Sequence, residues 1–277
     1  TVIGSNAAIN NTSASQNIAI GSNALATQSF SNGGTQWATN NVAVGIEALS
    51  INNPTSNTNG MNNTAVGNFA LRSNTTGVDN VAMGFRSMFS NTSGTHNIGI
   101  GSYVLENNSN GWNNTAMGWE TLRLNTSGTD NVGFGIVALR SNTSGNNNTA
   151  VGTSSMNAND EGNYNAAVGY ASLLSNVSGN YNTVFGALAL SSSRAGSNGT
   201  AFGSGAMYYF NSTATAFVNS NTAVGYESIK GDMSTTLNTG LGNTAVGYRT
   251  LLINSSGNNN VAVGSFAGSN QVTGNNN

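Results

Sequence analysis

Apolar and polar positions alternate along this chain in short bursts, each ending in glycine. The stretch NNTAVGNFALRSNTTGVDN, residues 62–80, is followed by NVAMGFRSMFSNTSGTHN and NIGIGSYVLENNSNGWN, with the same order of residue types and changed identities. The glycine that ends the motif N-[TVIA]-[AGV]-[VIMF]-G recurs from Gly67 to Gly203 in eight steps of 17 residues. Counting the partial unit at Gly4, ten of the fourteen intervals from Gly4 to Gly264 are 17 residues, and the others are 24 or 22. A fixed period of this kind marks a repeat architecture. The longer intervals read as loops inserted near 26–40, 50–62, 205–220 and 230–242 of a single array spanning 1–277.

Numbering the unit from its asparagine, position 2 is β-branched or Ala, 3 small, 4 large and apolar, and 5 Gly. Positions 2 and 4 share one face of a strand and position 3 takes the other. The glycine supplies the backbone freedom of a corner. The sequence therefore predicts one short strand, a corner, a second short strand over positions 8 and 9, and an Asn-rich turn. A 17-residue unit cannot close its own core, whereas stacked units can. The predicted fold is all-β, a parallel β-solenoid of about fifteen coils, forming a rod about 70 Å long at ~4.8 Å per coil. Position 4, from Val44 through Phe134 to Val263, is expected as an internal column facing Leu49, Leu71, Met88 and their equivalents at position 9. Asparagine at position 12, as in Asn74, Asn91, Asn125, Asn142 and Asn176, is expected to bond from coil to coil. Small residues at position 3 suggest the close approach of another chain. The aromatic and apolar residues at position 6, Phe85, Trp119, Ile136, Tyr170, Tyr226 and Tyr248, extend that interface.

Composition narrows the class. Only 6% of the 277 residues are charged and 37% are hydrophobic, with 51 Asn, 36 Gly, one Pro and no Cys. Disordered chains are rich in charge and proline, and this one has little of either. A net charge of −2 gives no electrostatic footprint for nucleic acid. No apolar run approaches the roughly 18 residues of a membrane helix. The first residues, TVIGSNAAIN, lack a secretory signal pattern and an initiator Met, as expected of a fragment or a processed product. Asn277 followed by Thr1 would continue the repeat, so the segment is expected either to be cut from a longer array or to stack head to tail into a filament.

Candidate chemistry is sparse. His96 is the only histidine, so no Ser-His-Asp or multi-His metal site can be built within one chain. Asp79 and Asp130 fall three coils apart, about 14 Å, too far for a carboxylate pair. Asp160 and Glu161 are adjacent on a turn, where solvation rather than Ca²⁺ binding is expected. The glycines carry neither a GxGxxG nor a P-loop context. No cofactor, metal site or catalytic residue is expected. Sequons at Asn74 and Asn142 reflect the Asn/Ser/Thr turns and could carry glycans in a secretory setting. Aromatics in two inserted regions are the candidate ligand-binding residues: Phe30 and Trp37, and Tyr208, Tyr209, Phe210 and Phe217.

The phrase NTAVGNFALRSNTTGVDNVAMG resembles the head repeats of YadA-type trimeric adhesins, and more closely the NTAVGYxALxSNTTGxxN arrays of tail-fibre and adhesin-like proteins. The resemblance covers nearly the whole chain, although the 17-residue unit has a longer turn than the adhesin heads. It implies a left-handed β-roll, three chains side by side, at an extracellular, cell or virion surface, where a non-enzymatic fibre segment mediates attachment or forms a filament. A cell-surface glycan or receptor is the implied ligand, with no nucleic acid and no membrane insertion. The alternative is an ice- or carbohydrate-binding solenoid, against which the mixed position 7 (Glu47, Phe69, Arg86, Tyr103, Glu120, Val137) counts for ice.

Overall fold

The computed structural model describes residues 1–11, 13–28, 33, 35–232, 238–270 and 272–277, and among them there are strands, turns and bends but no helix. Two compact units, Thr1–Gly133 and Phe134–Asn277, follow the same plan. In the first, parallel strands succeed one another in chain order: Val2–Ile3, Ile18–Ile20, Val42–Val44, Thr64–Val66, Val81–Met83, Ile98–Ile100 and Thr115–Met117. In the second the order is Thr149–Val151, Ala166–Val168, Thr183–Phe185, Thr200–Phe202, Thr222–Val224, Thr244–Val246 and Val261–Val263. Each strand lies in register on the next, as with Val66, Met83 and Ile100, or Phe202, Val224 and Val246. Each unit is a parallel β-solenoid, as the period predicts.

The second strand of the predicted coil does not form. Positions 7 and 9 adopt left-handed backbone instead, with φ of 63° and 48° at Phe69 and Leu71, and 54° and 50° at Arg86 and Met88. Coil-to-coil bonding continues through this turn, since the Leu71 and Met88 amides donate to the Ser87 and Val104 carbonyls at 3.0 and 2.9 Å. Two-residue strands appear beside the insertions, where Ala14–Ser15 pairs with Trp37–Ala38 and Gly196–Ser197 with Phe217–Val218.

Burial reverses which face of the strand is inside. Ala43, Ala65, Ala82, Gly99 and Ala116 at position 3 are buried, as are Ala150, Ala167, Val184, Ala201 and Ala223. Leu49, Leu71, Met88 and the other position 9 residues face them, as expected, with almost no exposure. The supposed internal column points outward: Val44, Val66, Ile100 and Phe134 are half-buried, and Met83, Met117, Phe185, Phe202, Val224, Val246 and Val263 are exposed. The small residues of position 3 are therefore core, not a contact for another chain. Alternation places positions 2 and 4 opposite position 3, but it does not say which face is inside. The left-handed turn brings Leu or Met of position 9 across a thin coil, and a small residue, Ala or Gly in all these coils but that of Val184, leaves room for it. At Gly99 an added Cβ would lie 2.9 Å from Ser87 Oγ and 3.0 Å from Met88 Cε, and at Gly133 it would lie 2.7 Å from Thr121 Cγ2.

The remainder of the interior is polar, and its asparagines are paired in ladders. In the first unit Asn74, Asn91, Asn108 and Asn125 form a buried ladder in which each Nδ2 donates to the preceding Oδ1, at 2.8–3.1 Å. A second ladder at position 1 runs Asn63, Asn80, Asn97, Asn114 and Asn131, with steps of 3.0–3.2 Å. The two ladders meet at the position 15 carbonyl: Gly94 O accepts from Asn80 at 2.9 Å and from Asn91 at 3.1 Å. In the second unit Asn142, Asn159 and Asn176 repeat the position 12 arrangement. Buried amides are costly unless bonded, and here they are bonded coil by coil.

Candidate functional site

Three in-register columns form the outward face of each parallel sheet. Position 2 supplies Thr, Val, Ile or Ala, position 4 a large apolar residue, and position 6 the aromatic and apolar residues expected from the sequence. Phe85, Trp119, Ile136, Tyr170, Tyr226 and Tyr248 are all exposed, Tyr170 by 59%. Neighbouring rings contact along the stack: Phe85 with Phe69 and Tyr103 edge-on at 5.9 and 5.4 Å, Phe185 with Phe202 stacked at 4.9 Å, and Tyr226 with Tyr248 stacked at 5.5 Å. Trp112 and the stacked pair Tyr164–Tyr181, centroids 5.1 Å apart, are also exposed. The sequence reading passed over them because they occupy turn positions rather than the repeated strand.

The inserted-loop candidates divide. Phe30 lies outside the described residues. Trp37 is buried in its two-residue strand, and Phe210 is buried with its ring 6.0 Å from that of Phe217. Trp37 and Phe210 are thus packed into the stack, while Phe217 is half-buried. Tyr208 and Tyr209 are half-buried, their rings 4.4 Å apart, and they line two clefts. The larger, about 330 Å³, is bounded by Tyr209, Glu227, Lys230, Asp232, Arg249 and Leu252. The smaller, about 200 Å³, is bounded by Ser204, Tyr208, Tyr226, Glu227 and Lys230. Glu227 and Lys230 form the shared wall.

Position 7 and the tenth position set the electrostatics of that wall. Glu227 accepts from Lys230 Nζ at 2.5 Å and from Arg249 Nε at 2.7 Å. Burial by itself pushes the Glu227 carboxyl up, but the hydrogen bonds from Lys230 and Arg249 outweigh it and hold the carboxyl below its ordinary range. Arg249 also lies over the Tyr248 ring, 5.3 Å from its centroid. The first unit carries a related cluster: Glu106 accepts from Arg86 and Arg123, each at 2.7 Å, and Arg123 Nη1 donates to Glu120 at 2.9 Å. Neither cluster was named from the sequence. The available signal was scarcity, since seven basic residues in 277 make two of them in successive coils conspicuous.

The other candidates are accounted for by local bonds. His96 Nε2 lies 3.5 Å from Asp79 Oδ2, both exposed, and Asp130 accepts from Asn113 at 3.1 Å. Thr143 Oγ1 donates to Asp160. The sequon asparagines Asn74 and Asn142 are buried in the ladder, so neither presents an amide for glycosylation in the folded chain. Among the described residues, no group of three His, Asp or Glu could hold a metal ion, and no helix is long and apolar enough to cross a membrane. No protein-family model, curated protein or solved structure matches the chain.

Proposed function

We propose that this chain is a non-enzymatic structural and adhesive segment of an extracellular fibre, at a cell or virion surface, in which copies associate side by side. One observation carries the reading: the outward sheet faces present consecutive apolar columns to solvent, such as Val224 and Val246 beside Tyr226 and Tyr248, with Phe202 one coil away. Contiguous exposed apolar surface marks an interface. Identical chains most simply close such a face by cyclic symmetry. Three copies agree with the resemblance to trimeric adhesin and tail-fibre repeats. Sedimentation equilibrium tests the assembly: the reading expects about three times the 28.1 kDa chain mass, and a stable monomer at micromolar concentration overturns it.

A second reading, an ice-binding surface, draws on Thr183, Thr200, Thr222 and Thr244, which are in register on the outward face of four successive coils. Thermal hysteresis of the purified chain decides it, and freezing at the colligative point removes it.

A further inference from the structure

We propose that the twin cleft walled by Glu227 and Lys230 is a binding site for a neutral saccharide. The proposal names the ligand of the attachment role and rests on that part of the functional reading. The larger cleft, about 330 Å³, falls within the range of small-ligand sites, roughly 300–1,000 Å³. The smaller cleft shares its wall, so two sugar units can lie side by side.

The chemistry selects the class. Glu227 and Asp232 balance Lys230 and Arg249, so the lining has no net charge with which to favour an anion or a cation. Both Glu227 oxygens are taken by the two cations, which fixes the cationic groups while Lys230 Nζ and the Arg249 Nη groups keep N–H donors for hydroxyl oxygens. Asp232 adds a carboxylate to the lining of the larger cleft. Tyr209 and Tyr208 line the two lobes and provide the flat apolar surface on which the C–H face of a pyranose rests. Arg249 is further held over the Tyr226 and Tyr248 rings at 5.9 and 5.3 Å, so the donors are placed before any ligand arrives.

The test is titration of the full chain with lactose and maltose as neutral probes and sodium glucuronate as the anionic one, followed by NMR. The expected result is saturable binding of a neutral probe with a Kd on the order of 1 mM, shifting the Arg249 Nε–H and Tyr209 ring signals. Tyr209→Ala should weaken that binding at least about tenfold. Glu106→Gln, which alters the ion cluster of the other unit, should leave it unchanged. Wild-type shift mapping decides the matter even if Tyr209→Ala fails to fold. Absence of binding by both neutral probes up to about 50 mM, shifts confined to other residues, or tighter binding of glucuronate would each overturn the proposal. The titration reads the cleft whether or not copies assemble, so its failure leaves the sedimentation result standing, and the reverse.

Discussion

At the scale of single residues, asparagine separates into two kinds that composition cannot distinguish. Asn108 donates to Asn91 Oδ1 and Gly111 O and accepts from Asn125, all within the coil interior. Asn108→Ala strands Asn91 Oδ1 and one Asn125 N–H, while Gly111 O keeps its bond from Asn97, and at ~1–3 kcal/mol for each unsatisfied group the cost should be at least about 2 kcal/mol. Asn110 is exposed on the neighbouring turn, and Asn110→Ala should change stability by less than about 0.5 kcal/mol. Urea-unfolding midpoints of the two variants make the comparison. Gly94 makes a similar contrast with glycines chosen for backbone freedom. Its φ is not positive, yet a Cβ there would meet Asn91 Oδ1 and lie 2.5 Å from Gly111 O. Gly94→Ala should therefore destabilise by about 1–3 kcal/mol through overpacking alone, read from the same midpoints.

At the scale of the coil, the period specifies where strands fall but not which coil pairs with which, because every coil resembles its neighbours. Charges at positions 7 and 10 supply that information: Glu47 with Arg72, Arg86 and Arg123 with Glu106, and Lys230 and Arg249 with Glu227 each fit one alignment. The lowered pKa of Glu227 gives a pH signature. A carboxyl depressed in the folded state contributes stability above its ordinary pKa, and loses it as pH falls through the lowered value. The difference in melting temperature between wild type and Glu227→Gln should therefore be full near pH 6 and close as pH drops below about 4. The column at position 9 and the ladder at position 12 could be read from the sequence because register follows from spacing alone. Inside and outside could not, since Ala65 and Val66 alternate identically under either assignment. The choice is made by the left-handed pair at positions 7 and 9, Phe69 and Leu71 in that coil, where neither residue type announces a positive φ. The cleft was legible only as its two tyrosines, because its charged wall comes from residues 22 apart across an inserted loop.

At the scale of the molecule, turning position 4 outward changes what a charge there does. In a buried column it would be ruinous. On the observed face Phe202, 40% exposed and stacked on Phe185, belongs to the surface on which the proposed association rests. Phe202→Asp should give a folded chain with unchanged circular dichroism, whose assembled mass falls because like charges meet across a desolvated contact. Loss of folding in that variant would return position 4 to the interior. The asparagine ladders carry a last consequence. In the ladders at positions 1 and 12 the side-chain amide donates toward the preceding coil, so these rows have a polarity, and their edge facing later residues displays waiting oxygen acceptors while the edge facing earlier ones displays donors. Each finished coil is thus a template that the next one reads as it leaves the ribosome. Growth from the N-terminal side can proceed one turn at a time, without waiting for any distant part of the chain.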